Sequence, residues 1–241
     1  MERELGHYES ALDYQRRGLA VREGLLKTDS NSRRAQRVVA ISHEFIGYTL
    51  SSQQNYMAAA DAHRKALALI EPIVKADHRN ADLQRLAAVA QENLCESLAL
   101  GGSGKEAVGH CEAAIGLYDG MVAADPKNAQ ASEDLADAES TMSIALDLSH
   151  SPQAAFEHQQ KARQLFVSAM NRDSAAWDLA AENANSLMEL AKLRKQLHLD
   201  GAATAAAEAI RNLQDLAARS PQSRVIGDLL AQAEELSKSL R

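Results

Sequence analysis

Residues 77–128 read DHRNADLQRLAAVAQENLCESLALGGSGKEAVGHCEAAIGLYDGMVAADPKN. The stretch opens and closes on one turn chemistry, DHRN at 77–80 and DPKN at 125–128. Asn80 is placed to cap a helix whose Leu83, Leu86, Ala87, Ala90, Leu94 and Leu98 recur every three or four residues and so share one face. GGSG at 101–104 ends that helix, and a second runs from about Lys105 to Ala124, where Asp125 and Pro126 stop it. One cycle is therefore a pair of helices.

The same cycle extends both ways. Asp29, Asp77, Asp125 and Asp173 are spaced by 48 residues, as are Ala11, Ala59, Ala107 and Ala155, and Gly18, Ala66, Ala114 and Ala162. Ala202 and Ala209 continue the last two columns after one 47-residue step. Ser151 before Pro152, and Ser220 before Pro221, read as helix caps followed by proline in the first turn. A lone pair of this kind cannot bury its apolar stripe, so successive pairs must stack. The expected fold is all-α, an elongated and curved solenoid of about ten antiparallel helices forming a single repeat domain over 1–241. Its parts are a helix at 5–27, pairs at 33–76, 82–124, 131–172 and 175–219, and a closing helix at 223–240. In that last helix Val225, Ile226, Leu229, Leu230, Ala233 and Leu236 share one side, leaving Glu234, Glu235, Lys238 and Arg241 for solvent.

Composition agrees. Of 241 residues 46 are alanine, aromatics make up 4%, and the net charge is −7. Alanine favours helix and fills little volume, which suits close-packed helices and not a sheet. No run reaches the ~18 apolar residues of a membrane span, and Glu2, Arg3 and Glu4 take the place of a signal core. The negative balance argues against nucleic acid or an anionic membrane as the main partner.

These pairs resemble the tetratricopeptide repeat across the whole chain. Ile46 and Gly47 stand at the family's Leu-Gly pair, followed by Leu94 and Cys95, Met142 and Ser143, then Leu190 and Ala191. The two alanine columns of the second helices lie seven apart, as in the family pattern. The large aromatics are missing: His43, Gln91, Glu139 and Leu187 replace one, and Gln15, His63, Cys111, Gln159 and Ala206 the other. The period is 48 where the common form has about 34, and seven added residues per helix rotate its face by only ~20°. The chain is thus similar to a long-helix variant found in repeat tails of some bacterial serine/threonine kinases and signalling regulators.

The resemblance implies a non-catalytic scaffold that binds a protein or peptide in a concave groove lined by the first helix of each pair. The side opposite each core stripe gives Arg37, Ile41, Glu44 and Tyr48, then Arg85, Val89, Glu92, Asn93 and Glu96. The third pair offers Asp134, Asp137, Ser140, Thr141, Ile144 and Asp147, and the fourth Asn185, Met188, Glu189, Lys192 and Lys195. Residues 105–150 hold the entire charge imbalance, nine carboxylates against Lys105 and Lys127. Glu44, Glu92, Ser140 and Met188 occupy the column where a clamp for a C-terminal carboxylate needs basic residues, so a basic or neutral segment fits better, anchored by Tyr48, Ile144 and Met188. The alternative is a regulatory or oligomerising C-terminal tail of a larger bacterial signalling protein such as a kinase, self-associating through the unpartnered helix 5–27. The compartment expected is the cytoplasm, or outside it for the tail of a membrane-anchored kinase.

Other signals read as structure. GGSGK at 101–105 lacks the first glycine of a phosphate loop and follows a helix. Leu5, Leu12, Leu19 and Leu26 form a heptad that the repeat explains as an inter-helix seam, since Ala60, Leu67 and Val74 continue it. His43-Glu44 lacks the second histidine of a zinc motif, and His110 and His158 belong to different pairs, so no metal or other cofactor is implied. Cys95 and Cys111 take facing small positions of one pair; oxidation could join them, but the expectation is two buried thiols. Pro72, in the column of Gly24, Gly120 and Ser168, suggests a shared bend. No nucleophile or acid–base pair is legible, so no catalysis is expected.

Overall fold

The computed structural model describes residues 7–172 and 177–240. Ten helices fill them: α1 (Tyr8–Thr28), α2 (Arg33–Ser52), α3 (Tyr56–Ala76), α4 (Ala81–Leu100), α5 (Gly104–Ala124), α6 (Ala129–Leu148), α7 (Pro152–Arg172), α8 (Trp177–Gln196), α9 (Ala202–Arg219) and α10 (Arg224–Ser239). Leu5, Asp173, the first two residues of the pair expected at 175–219 and Arg241 lie outside the described residues. The chain forms two compact units, Met1–Met121 and Val122–Arg241. In the first, α1 packs on α2, α2 on α3 and α3 on α4, and α2 also touches α4. In the second, α6 through α10 pack in chain order, and α8 also touches α10.

Helix starts follow from side-chain caps. Ser32, Asn80, Asn128 and Ser223 accept hydrogen bonds from the backbone N–H of Ala35, Leu83, Ala131 and Ile226 at 3.1–3.4 Å. Pro152 opens α7 as expected, but Ser220 does not cap α10. It closes α9, its N–H donating to the Leu216 carbonyl at 2.9 Å. The start of α10 is fixed by Ile226, which is fully buried, and Ser223 is the hydroxyl three residues ahead of it.

Within each pair the turn is the same device repeated. Gln54, Gly102, His150 and His198, 48 residues apart, all have left-handed φ, between 56° and 86°. After each, an N–H reaches back over the end of the helix: Asn55 to Leu50, Ser103 to Leu98, Ser151 to Leu146 and Leu199 to Arg194, at 2.7–2.9 Å. GGSG is one of these four turns, and only there is the left-handed residue a glycine.

The alanine columns form the seams. Ala59, Ala66, Ala107, Ala114, Ala155, Ala162 and Ala209 are wholly buried. Where the helices of a pair cross, Gly47 meets His63, and the equivalent positions carry Cys95 and Cys111, Ser143 and Gln159, Ala191 and Ala206. Cys95 and Cys111 are joined in a disulfide and are not the expected free thiols. The crossing brings their Cα atoms to 5.4 Å, inside the span a disulfide bridges. α3 continues through Pro72 without a break.

Candidate functional site

Residues 19 apart face each other across a pair, because that spacing carries the chain from the middle of the first helix through the turn to the middle of the second. Four polar contacts use it: Glu44 with His63, Gln91 with His110, Glu139 with His158, and Ser140 with Gln159. One residue of each contact, His63, Gln91, Glu139 and Gln159, stands in a column where the repeat pattern has an aromatic, and His110 and His158 are taken up as partners of the polar residues there.

In the first unit one such pair reaches a cavity. Glu44 of α2 is buried, and its Oε2 accepts from His63 Nδ1 of α3 at 3.0 Å and from Asn93 Nδ2 of α4 at 2.8 Å. Donation to a carboxylate places the His63 proton on Nδ1. Glu44 Oε1 is buried and has no hydrogen-bond partner. His63 and Asn93 also line a recess of about 220 Å³, with Tyr48, Ser51 and Ser52 of α2, Tyr56 of α3, and Glu96 and Leu100 of α4. None of the lining residues is lysine or arginine. Nearby, burial lowers the pKa of His43, outweighing the opposing pull of the Glu23 carboxylate 3.9 Å away.

Of the residues expected to line a groove, the recess gathers Tyr48, Asn93 and Glu96, with Glu44 behind them. Arg37 and Arg85 are exposed and Ile41 and Val89 half-buried, outside the recess. Glu92 accepts from the Tyr118 hydroxyl at 3.1 Å. In the second unit Asp134 and Met188 are buried; Met188 belongs to a core cluster with Ala206 and Leu213 and is no surface anchor. Asp134 accepts from Gln130 Nε2 at 2.9 Å. Ser140, Thr141, Ile144, Asp147, Asn185 and Glu189 are half-buried, while Lys192 pairs with Glu189 and Lys195 donates to the Ser239 carbonyl. Packing on both flanks narrows the open strip of a first helix, which is why Glu44, Asp134 and Met188 fall inside. The residues missed were Ser51, Ser52, Tyr56, His63 and Leu100, and the 19-residue spacing could have found His63.

The second unit also concentrates negative charge. The pKa of Asp137 is pushed up to about 7, by burial first and then by the carboxylates of Glu182, Asp134, Glu133 and Asp178. That of Glu182 is raised by burial and Asp178, against a hydrogen bond from Asn185. Among the described residues no helix is long and apolar enough to cross a membrane.

The family model of the tetratricopeptide repeat matches residues 1–32. No curated protein sequence matches the chain. Among solved structures, the apo form of RapI aligns with 99% of this chain and 80% of its own, at 12% identity and a TM-score of 0.62. A MamA RS-1 double mutant (20% identity, 91% of this chain and 89% of its own, TM-score 0.47) and BtubC from P. vanneervenii (13%, 97% and 92%, 0.49) are more distant in shape. The chain is therefore a helical repeat that shares its fold with RapI, and its first 32 residues are similar to the tetratricopeptide repeat.

Proposed function

We propose that the chain is a non-catalytic scaffold that binds a partner protein segment along its first-type helices, with the recess between α2 and α4 as an anchor point. The observation carrying this reading is that recess: Tyr48, Asn93 and Glu96 come from equivalent helices of successive pairs and converge on one opening. Its polar groups are held by packing and by Glu44, as a preorganised binding surface requires. The acidic face around Asp137 would steer a basic segment toward the second unit. The test is affinity capture with wild type, with Tyr48→Ala plus Asn93→Ala, and with Asp137→Lys. Loss of specific partners from either variant supports the reading; an identical set of captured proteins from all three removes it.

A second reading, the self-associating tail of a larger signalling protein, has its own support. Tyr14, Val21 and Leu25 of α1 are 62–67% exposed. At the positions equivalent to Leu25, Ile73, Met121, Ala169 and Leu216 are buried. A first-type helix of a second copy would fill that seat on α1. The Cys95–Cys111 disulfide suits an oxidising compartment, as for an extracytoplasmic tail. Light scattering decides: a dimer abolished by Leu25→Glu is expected, and a monomer at high concentration refutes it.

A further inference from the structure

We infer that α10 of one copy docks on α1 of a second copy, each supplying the helix that the other's pair lacks, so that the chain associates head to tail. The inference rests on the self-association reading and names the surface that α1 meets. Among the described residues α1 is a second helix with no first helix before it, and α10 a first helix with no second helix after it. α8, a first helix within the second unit, packs on second helices at both sides, whereas α10 packs on α9 and α8 only.

The faces left open are the ones that a pair closes. Ala40, Ala88, Ala136 and Ala184 of the first helices are wholly buried, and so are Ala66, Ala114, Ala162 and Ala209 of the second helices. Ala231 of α10 continues the first column and Gly18 of α1 the second, yet Ala231 is exposed and Gly18 half-buried. Both are small enough for the close crossing that the other pairs make. Register follows from contacts inside those pairs. Gln91 accepts from His110, and Glu139 from His158. Glu234 stands in the column of these acceptors and Tyr14 in that of the donors, so the Tyr14 hydroxyl of one copy comes to the Glu234 carboxylate of the other.

The surroundings agree with that register. Along the face of Gly18, α1 exposes Tyr14, Val21 and Leu25, and Arg22 and Leu25 line a recess of about 420 Å³ with Arg34, Ala35 and Val38 of α2. With Ala231 against Gly18 and the helices antiparallel, Asp228 one turn back on α10 meets Arg22 one turn on along α1, at the mouth of the recess. Arg22 now lies back over Gly18, its Nη1 2.9 Å from where a Cβ would stand. Asp228 pairs with Arg224 at 3.7 Å on an exposed surface, so exchanging partners costs little. Lys238, in the column of Gly47, Cys95, Ser143 and Ala191, is a long side chain at a small position; it is exposed in the last turn of α10, and its stem swings outward on docking. Two copies of α1 face to face would instead bring Arg17 and Arg22 of both together, which disfavours an isologous contact.

The experiment is sedimentation equilibrium of the whole chain with one end blocked at a time. Leu25→Glu closes the α1 end and Ala231→Arg the α10 end, both at exposed positions. Should either variant lose its cooperative melt, Val21→Glu or Gly227→Arg takes its place. Wild type is expected to form a dimer and to grow past it with concentration, because a head-to-tail contact leaves a free α1 and a free α10 on every assembly. Each blocked variant alone should be monomeric, and an equimolar mixture of the two should form a dimer of one copy each and nothing larger. Asp228→Arg should weaken association about tenfold, and Arg22→Asp added in the same chain should restore it. A dimer formed by Ala231→Arg alone overturns the inference and leaves the self-association reading standing, since α1 would then meet another surface. A mixture that stays monomeric while wild type associates, or a charge exchange that restores nothing, also overturns it. A wild type that is monomeric at every concentration removes the reading and the inference together.

Discussion

The Cβ that Gly47 lacks would stand 2.4 Å from Cε1 of His63 and 2.5 Å from its Nε2. No real Cβ tolerates that approach, and the imidazole is held by Glu44 and only 1% exposed, so it has nowhere to retreat. Gly47→Ala should therefore destabilise the first unit by about 1–3 kcal/mol, as overpacking does. Adding His63→Ala should recover much of the loss, because the clash disappears with the ring. Urea melts of the two single variants and the double variant measure this. Strictly additive losses would show that the two residues do not press on one another.

One repeat later the same crossing holds the Cys95–Cys111 disulfide, both residues at most 1% exposed. Closing a loop across a sequence separation of 16 stabilises by about 3 kcal/mol through the unfolded chain. Cys95→Ser with Cys111→Ser should lower the urea midpoint accordingly. Burial should also shield the bond, so native protein treated with mild reductant releases thiol slowly, and sub-denaturing urea speeds the release. A thiol count that rises as fast without urea as with it would contradict this.

Asp137 makes stability depend on pH. Its folded pKa of about 7 lies above the ordinary 3.8, so between those values the unfolded chain has lost a proton that the folded chain keeps. Stability contributed by the neutral form is full below about pH 4, falls as pH rises through this window, and levels off above 7. Glu182, shifted the same way, adds to the slope. Asp137→Asn should match wild type near pH 4 and exceed it at pH 8 by about 1–3 kcal/mol, less than an unscreened shift would give because the carboxylate is only partly buried. Parallel denaturation curves at pH 5 and 8 would rule the effect out.

The fold was legible because its determinants are local. Asn80 announces a helix start by its side chain, and the alanine columns announce the seams by the absence of bulk. The site was less legible because burial is set by neighbours. Helical period assigns Glu44, Asp134 and Met188 to the face opposite the core stripe, but a first helix contacts elements on two sides, and period alone cannot give the width of the strip left open. The disulfide was half legible: facing small columns place Cys95 beside Cys111, while the closeness of the crossing depends on the glycine-sized positions being close-packed in every pair. Ser220 misled because a serine before proline resembles a cap whether a helix begins there or ends.

The four equivalent turns set up an internal comparison. Gln54, His150 and His198 hold left-handed φ with a side chain present, and Gly102 holds it without one. A Cβ in that region costs roughly 1–2 kcal/mol, while glycine loses up to about 1 kcal/mol through the greater freedom of the unfolded chain. The two effects oppose, and the steric one is larger. Gln54→Gly and His150→Gly should each raise stability by about 0.5 kcal/mol, whereas Gly102→Ala should lower it by a similar or larger amount. Nothing lies within 4 Å of the Cβ added at Gly102, so backbone conformation alone is responsible there. Thermal melts of the three variants in one buffer test the sign at each turn. A loss at Gln54 and His150 would mean that their side chains make contacts worth more than the strain they carry.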